Sequence, residues 1–427
     1  MRHPTADHLG IRTGIGVGIE SEKKGGPYTV AMLAPDYDLL DWLHHLFPQK
    51  ADEFTIDCGG RLITPGLVDC HTHAVFGKPR LEDQARRARG EDYKAIAAAG
   101  GGILSSVADF RTRGEDELVA LTRARLARLT SLGTTTVEVK SGYGLSAEAE
   151  LKALRVIRRV AGELGITLVP TFLGAHEVPA DFRSRRDAYV RLVIEEMLPA
   201  VAREKLARFC DVFCEPGVFA LDETAAILSA ASALGLKAKL HADELDPAGG
   251  AELAAKLGAT SADHLGAVSA RGVEALAGSS TVAVLLPGTL TFLGKSRQAP
   301  ARALLEAGAI VALATDFNPG SSPTGNLPLI LALAVSQGRM QPEEALIAAT
   351  VNAAWAAGED DDRGRLRVGG RADLVVWNCR DWRELSYWYG MPLAREVYAA
   401  GRPCLGPFAG ISSADSGADE LLSPRIF

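Results

Sequence analysis

Short apolar segments rich in Val, Leu and Thr alternate with longer segments rich in Ala, Leu, Arg and Glu through the middle of this 427-residue chain. Such alternation predicts βα units and a parallel sheet. The candidate strands are Leu67–His73, Thr135–Lys140, Thr167–His176, Phe209–Glu215, Ala238–Glu244, Ser261–Leu265, Thr281–Pro287 and Ile310–Asp316. Eight strands over about 250 residues are the count of a (β/α)8 barrel of the TIM type, and a doubly wound open sheet is the alternative.

The segments between these strands have the apolar spacing of helices. Ala147–Leu164 and Leu221–Leu234 are predicted to be amphipathic helices. In the first, apolar residues recur at i+3 and i+4 spacing, which places them on one face. These residues are Leu151, Leu154, Ile157, Ala161 and Leu164.

Polar and ionisable residues stand at the carboxyl ends of nearly all the candidate strands. They are His71, His73, Lys140, His176, Glu215, His241, Glu244, His264 and Asp316. A strand that merely turned there would more often end in Gly, Asn or Ser. Barrel enzymes build their active sites at this end, from several strands. The pattern therefore favours the barrel and predicts where its site lies.

The two ends of the chain differ from its middle. Residues 66–355 form the predicted barrel, and residues 1–65 and 356–403 are predicted to build a small β-rich side domain. Its N-terminal part is atypical, because residues 1–50 have little strand signal and 37–50 has the pattern of a helix. Residues 404–427, rich in Ser, Gly, Ala and Asp, are predicted to form a loosely held tail.

Composition excludes several classes of protein. Hydrophobic residues make up 47% and charged residues 23% of the chain, which is globular composition. The formal net charge of −7 argues against nucleic-acid binding. The longest apolar runs, such as Leu329–Val335, are far shorter than the ~20 residues of a membrane helix. We find no signal peptide and no CxxC pair among the six cysteines, and we expect a cytoplasmic protein.

The histidines suggest a metal site. His71 and His73 lie two residues apart on a strand, so both imidazoles point to the same side. Neutral imidazole is a good ligand for Zn²⁺ or Fe²⁺, although an isolated HxH is often only a pair of surface histidines. His241, His264 and Asp316 stand at other strand ends, and three imidazoles with one carboxylate form a suitable ligand set.

An acid close to these histidines is a candidate for proton transfer. Glu244 follows His241 by three residues, beyond the predicted strand end. A carboxylate there could carry protons without binding metal. The alternative is an ordinary solvated loop acid.

Several segments in order carry a family resemblance. They include PGLVDCHTHAVFG, VEVKSGYGL, TFLGAHEVP, LHADEL, DHLG and ATDFNPGSSP, and they span residues 65 to 355. With them the chain resembles the amidohydrolase superfamily and, within it, the imidazolonepropionase family. The C-terminal GRLRVGGRADLVVW resembles the closing segment of the superfamily.

The resemblance implies a (β/α)8 barrel with one divalent metal per chain, Zn²⁺ or Fe²⁺. The metal ligands that it implies are His71, His73, His241 and Asp316. Glu244 and His264 would handle protons, and Asp316 is a third candidate for the general base.

The resemblance also implies a substrate and its contacts. Such an enzyme hydrolyses 4-imidazolone-5-propanoate to N-formimino-L-glutamate in histidine breakdown, by attack of a metal-bound hydroxide on the ring carbonyl. The substrate-binding residues would be Arg80, Tyr143, His176, Asn318 and Gly320. The partner is a small anionic molecule, with no nucleic acid and no membrane, and the family suggests a homodimer. Arg80 suits a carboxylate, which it can grip through two parallel hydrogen bonds.

Lys140 is not assigned to the metal. Some relatives bridge two metals with a carboxylated lysine on the fourth strand, whereas Lys140 lies on the second. We therefore predict one metal, with Lys140 as a structural ion-pair partner.

Two other functions stay open. A deaminase of a cytosine- or guanine-like base shares HxH with HxxE, but such a neutral base has no anionic side chain for Arg80, Tyr143 and the NPG loop. A non-enzymatic scaffold of the same fold is the third possibility, although such relatives have typically lost metal ligands.

Overall fold

The computed structural model describes residues 1–21, 26–49, 55–91, 95–96, 99–359, 362–405 and 425–426. Within these ranges the strands are β1 Ile15–Glu20, β2 Thr29–Pro35, β3 Ile63–Pro65, β4 Leu67–Asp69, β5 Thr134–Lys140, β6 Thr167–Ala175, β7 Phe209–Cys214, β8 Lys237–Ala242, β9 Ser261–His264, β10 Val282–Leu285, β11 Ile310–Leu313, β12 Leu374–Trp377, β13 Ala394–Ala399, β14 Arg402–Leu405 and β15 Arg425–Ile426.

The α-helices in the same ranges are α1 Asp36–Leu46, α2 Leu81–Ala88, α3 Gly102–Thr112, α4 Glu115–Ser131, α5 Ala147–Leu164, α6 Arg186–Leu192, α7 Leu198–Glu204, α8 Leu221–Ala233, α9 Gly250–Leu257, α10 Ala270–Ala277, α11 Pro287–Phe292, α12 Ala301–Glu306, α13 Leu327–Ser336, α14 Pro342–Ala348, α15 Val351–Ala356 and α16 Glu384–Tyr387. A π-helical turn, Val193–Met197, joins α6 to α7. None of the helices described is long and apolar enough to span a membrane.

Strands β4 to β11 form one parallel sheet in sequence order. Its two outer strands meet through the residues that follow them. The backbone N–H of Asp316 donates to the carbonyl oxygen of His71 at 3.0 Å, and that of His73 donates to the carbonyl oxygen of Phe317 at 2.8 Å. The sheet is thus a nearly closed barrel, and the predicted (β/α)8 fold is confirmed in place of the open sheet.

All eight predicted barrel strands are present, and β5 ends at Lys140 as predicted, but the other seven strands end earlier than predicted. The strand predicted as Leu67–His73 ends at Asp69, and that predicted as Ile310–Asp316 ends at Leu313. Asp316 has a φ of 51°, in the left-handed region, so the chain has left the extended conformation there. The polar residues therefore stand mostly on the first loop residues beyond the strands.

The helix predicted at Ala147–Leu164 has those same bounds as α5. The side chain of Ser146 accepts a hydrogen bond from the backbone N–H of Ala149 at the start, and Gly165 ends the helix with a φ of 69°. Leu154 and Ile157 of the predicted apolar face are buried in the core.

The prediction that residues 1–50 contain little strand was wrong. β1 and β2 pair as antiparallel neighbours, and the helix predicted at 37–50 is α1, packed against them. Gly18 explains part of the weak signal. A Cβ at Gly18 would lie 3.2 Å from side-chain atoms of both Leu39 and Trp42, so the helix packs on bare strand backbone. Glycine is a poor strand residue by propensity, and this packing is invisible in the local sequence.

Both chain ends contribute strands to two smaller sheets. In the four-stranded sheet β3 pairs with β12, and β13 and β14 continue it. In the three-stranded sheet β1 lies between β2 and β15, and it pairs with Arg425 and Ile426 of β15. The predicted tail otherwise falls at residues 406–424 and 427, outside the described residues. The predicted domain boundaries stay a prediction.

Trp377 of β12 fixes this sheet to the amino end of the barrel. Its indole is fully buried and donates to the Oγ1 of Thr64 at 2.8 Å. Gly133 precedes β5 with a φ of 104°, and a Cβ there would lie 2.5 Å from the indole.

We expect Gly133→Ala to lower the free energy of unfolding by about 2–4 kcal/mol, because it adds both backbone strain and a clash with Trp377. Urea unfolding followed by circular dichroism measures the change. Gly162→Ala is the control, because Gly162 lies in α5 with no atom within 4 Å of a new Cβ. That helix substitution should raise stability by about 0.5–1 kcal/mol. Equal stability of Gly133→Ala and wild type would contradict the proposed packing.

Candidate metal and substrate site

Four side chains of the predicted ligand set converge at the carboxyl end of the barrel. His71 and His73 follow β4, His241 lies in β8, and Asp316 follows β11. The Oδ1 of Asp316 lies 3.6 Å from the Nε2 of His71 and 3.4 Å from the Nε2 of His73. The Nε2 atoms of His241 and His73 are 3.4 Å apart. All four residues are buried.

These residues fit a divalent metal ion. The Nε2 of His71 is buried without a hydrogen-bond partner, although buried polar atoms are rarely left so. The ligand atoms of His71, His73 and Asp316 lie within 4.8 Å of one another, as do those of His71, His241 and His264. Imidazole nitrogens with one carboxylate are an ordinary donor set for such an ion.

The protonation of the histidines suits this use. Burial, aided by the charge of Lys140, lowers the pKa of His71 well below its usual value, and burial beside His176 does the same for His73. Both rings are therefore neutral, which is the form that binds metals. At His241 burial is outweighed by the charge of Asp211, which raises the pKa of the ring.

Polar side chains outside the ligand set orient the ligands. The Nδ1 of His71 is hydrogen-bonded to the Oδ2 of Asp263 at 2.6 Å. The Oγ1 of Thr289 donates to the Oδ2 of Asp316 at 2.6 Å. These orienting residues were not predicted from the sequence, because the segment SADH around Asp263 has no feature that separates it from other strand segments.

Glu244 and His264 lie beside the ligand cluster, as predicted. The Oε2 of Glu244 is 3.6 Å from the Nδ1 of His264, and the Glu244 side chain is 12% exposed. Burial and the negative charge of Asp316 raise the pKa of Glu244 to about 8. Burial also lowers the pKa of His264 well below its usual value. Glu244 can thus hold a proton near neutral pH, next to a neutral imidazole.

The loop that carries Glu244 is shaped by another acid. The backbone N–H groups of Glu244 and Asp246 donate to the two carboxylate oxygens of Glu215, at 3.1 and 2.7 Å. Glu215, at the end of β7, therefore supports the loop. Its place at a strand end was predicted, but its bonds were not.

His176 and Tyr143 form a wall next to the cluster. The His176 ring stacks on His73 with centroids 5.1 Å apart, and the Tyr143 ring lies 5.4 Å from His176. The Nδ1 of His176 lies 2.9 Å from the carbonyl oxygen of Gly142, which can only accept, so this nitrogen carries the proton. Burial is the main cause that lowers the pKa of His176 to about 3.

Tyr143 is part of the hydrophobic core although it lies in a turn. In the sequence SGYG has the composition of a loop, but the Tyr143 side chain is only 2% exposed. The buried carboxylate of Glu150 accepts hydrogen bonds from the backbone N–H groups of Gly142, Gly144 and Leu145. This acid of α5 gives the turn its shape. Glu150 lies seven residues along the chain from Tyr143, and its role in the turn was not predicted from the sequence.

Arg80 lies at the same site with part of its charge unsatisfied. Its side chain is 9% exposed, and among the described residues its nearest carboxylate oxygen is that of Asp83 at 3.9 Å and its Nε has no hydrogen-bond partner. Its positive charge also helps to lower the pKa of His176, which places the two groups in one electrostatic environment. The guanidinium lies over Gly320, where a Cβ would be 1.5 Å from Nη2.

Asn318 and Gly320 form the loop beneath Arg80. The Oδ1 of Asn318 accepts from the backbone N–H groups of Gly320 at 2.8 Å and Ser321 at 2.7 Å. Its Nδ2 donates to the carbonyl oxygen of Asp316 at 2.7 Å. Asn318 therefore fixes the loop relative to the ligand cluster. The structure thus gathers all the predicted site residues at one end of the barrel.

Lys140 is an ion-pair partner, as predicted. It is completely buried at the end of β5, with its Nζ 2.8 Å from carboxylate oxygens of both Glu138 and Asp211.

Comparison with known proteins identifies relatives over most of the chain. The model of the amidohydrolase family matches residues 77–386. The imidazolonepropionase of Solibacter usitatus (strain Ellin6076) is 48% identical over 373 residues, which are 87% of this chain and 88% of that protein. The imidazolonepropionase of Bacillus velezensis is 47% identical over 347 residues, covering 81% and 82% of the two proteins.

Solved structures share the fold at lower identity. Atrazine chlorohydrolase TrzN from Arthrobacter aurescens TC1, complexed with zinc, has a TM-score of 0.68 at 18% identity and covers 93% of this chain and 94% of its own. The 5-methylcytosine deaminase from Klebsiella pneumoniae has a TM-score of 0.67 at 17% identity, with 94% and 97% covered. The family match and the relatives near 47% identity show that the chain belongs to the amidohydrolase family and, within it, to the imidazolonepropionases.

Proposed function

We propose that this chain hydrolyses 4-imidazolone-5-propanoate to N-formimino-L-glutamate. The observation that carries the proposal is the pairing of a buried metal-type cluster with Arg80, whose side chain is 9% exposed and whose nearest carboxylate oxygen among the described residues lies 3.9 Å away. The substrate has the matching pair of groups, a cyclic amide to cleave and a propionate. Relatives named imidazolonepropionase, at 46–48% identity, support the same substrate.

The metal in this proposal is Zn²⁺ or Fe²⁺, held by His71, His73, His241 and Asp316. Such an ion, when bound, lowers the pKa of a bound water and polarises a carbonyl oxygen. The remaining chemistry belongs to the side chains around the cluster.

Arg80 is assigned to the substrate carboxylate. A guanidinium donates two parallel hydrogen bonds to a carboxylate, and the low exposure of Arg80 strengthens them. Asn318 and Gly320 maintain the loop against which Arg80 rests. Tyr143 limits the site on the side of His176 and offers its ring as a packing surface.

His176 is assigned to the imidazolone ring. Its Nδ1 carries the proton that faces Gly142, so its Nε2 has a free lone pair. A neutral ring with this tautomer accepts a hydrogen bond and cannot donate one from Nε2. We therefore assign it to an N–H of the substrate ring and not to a developing oxyanion.

Glu244 is assigned to proton transfer, with His264 beside it and Asp316 as a third carrier. Ring opening adds water across a carbon–nitrogen bond, so one proton must leave the water and one must reach the departing nitrogen. With a pKa near 8, Glu244 can exchange protons close to neutral pH. Its position next to His264 allows both to serve the same reaction.

The direct test is turnover of freshly generated 4-imidazolone-5-propanoate by the purified protein, with a chelator-treated sample in parallel. We expect formimino-glutamate from the metal-loaded protein and none from the treated sample until Zn²⁺ or Fe²⁺ is restored. Cytosine serves as a neutral control substrate and should remain unchanged. Metal-loaded protein that leaves the imidazolone intact would refute the proposal.

For Glu244→Gln we expect kcat to fall by about 10²–10⁴-fold, because the amide cannot transfer protons. Metal content, measured by elemental analysis, should stay at the wild-type level. Asp246→Asn is the matched control, since Asp246 is an exposed acid on the same loop, and it should retain activity. Turnover by Glu244→Gln at the wild-type rate would remove Glu244 from the mechanism.

Gly320→Ala should displace Arg80, because the new methyl group would occupy the position of the guanidinium. We expect kcat/KM to fall by about 10- to 100-fold, mainly through KM, since a charge-assisted contact is worth about 1.5–3 kcal/mol. Steady-state kinetics measure the change, and metal content should not move. Gly162→Ala serves again as the remote control. An unchanged KM would show that Arg80 does not bind the propionate.

A further inference from the structure

A cluster of charges lies behind the ligand histidines, outside the groups assigned to the reaction. Lys140 is at its centre. Its Nζ lies 2.8 Å from the Oε1 of Glu138, 2.8 Å from the Oδ2 of Asp211 and 3.9 Å from the Oδ2 of Asp263. All four side chains are completely buried.

Asp263 and Asp211 each contact a ligand histidine, and Glu138 contacts the residue between two of them. Asp263 is hydrogen-bonded to the Nδ1 of His71 at 2.6 Å, and the Oδ2 of Asp211 lies 3.1 Å from the Nδ1 of His241. Glu138 contacts the residue between His71 and His73, because its backbone carbonyl accepts from the Oγ1 of Thr72 at 2.7 Å.

The direction of these contacts decides what the histidines can do. A carboxylate accepts hydrogen bonds, so the Nδ1 of His71 carries a proton toward Asp263 and its Nε2 is left to bind a cation. At His241 the carboxylate of Asp211 lies against Nδ1 as a close ion-pair contact. Three carboxylates shielded from water repel one another, and a buried charge is tolerated when it is paired.

Lys140 is the group that pairs them. A second buried ammonium, that of Lys239, donates to the carbonyl oxygen of Cys70 at 3.1 Å. Among the described residues it has no carboxylate oxygen within 4.0 Å, whereas Lys140 has three acids within that distance. Lys140 is therefore the cation in direct contact with the three acids of the cluster.

We propose that Lys140 is a positioning residue for the metal centre, which acts by pairing with Asp263 and Asp211 and so holding both side chains in place against His71 and His241. It does so without touching metal or substrate. The two histidines consequently present their Nε2 atoms to one point as a unit, although they come from strands on different sides of the barrel. The proposal rests on the metal part of the proposed function and not on the substrate.

The test is the affinity of Lys140→Met for Zn²⁺, measured by competition with a chromophoric chelator. Methionine keeps much of the side-chain length and removes the charge. We expect the dissociation constant to rise by about 10- to 100-fold, the range seen when groups that orient metal ligands are removed. Lys152→Met is the matched control, because among the described residues its Nζ donates hydrogen bonds only to the backbone carbonyls of Phe110 and Arg113. That variant should bind Zn²⁺ like wild type.

A second measurement uses the metal-free protein and no activity assay. In ¹⁵N-histidine spectra, the Nδ1–H of His71 should be shifted far downfield by its short bond to Asp263. We expect that signal to be lost or moved upfield in Lys140→Met and retained in Lys152→Met. Wild-type affinity together with a wild-type signal in Lys140→Met would overturn the proposal.

Two further variants test the proposal if Lys140→Met does not fold. Asp263→Asn and Asp211→Asn each remove one charge with little change of shape, and each should weaken Zn²⁺ binding. Wild-type affinity in both would overturn the proposal. A wild-type protein that binds no Zn²⁺ or Fe²⁺ would overturn it together with the metal assignment, whereas metal binding without turnover would count against the proposed substrate alone.

Discussion

The site depends on the junction that closes the barrel. The backbone bonds between His71 and Asp316, and between His73 and Phe317, join the first strand of the sheet to the last. These two bonds lie between segments some 245 residues apart in the chain, and they bring three of the four ligand-type side chains together. Without this closure the ligands of β4 and β11 would stand at opposite edges of an open sheet.

The sequence predicted the barrel well because its parallel strands are buried on both faces and several are apolar throughout, as in the fully buried β10 and β11. Site residues interrupt that pattern, so they were visible as polar positions at strand ends. The strand ends themselves were placed too far along the chain, because a polar residue such as Asp316 does not show that the backbone has already turned.

What the sequence could not predict depends on contacts between distant segments. Gly18 looks like a strand breaker until Trp42 and Leu39 are packed on it. Tyr143 looks like a loop aromatic until Glu150 folds its turn inward. Asp211 and Asp263 have no local mark that separates them from other strand residues. Their roles appear only when the closed barrel places them behind His241 and His71.

Trp377 and Gly133 meet at the amino ends of the barrel strands, where the backbone N–H of Gly66 also donates to the carbonyl oxygen of Asp373. The ligand cluster lies at the opposite, carboxyl ends. In barrels of this kind, one end governs stability and the other chemistry. The sheet formed by β3, β12, β13 and β14 is therefore a suitable attachment point for immobilising the protein. A protein attached to a solid support through that sheet would keep the ligand cluster facing the solvent.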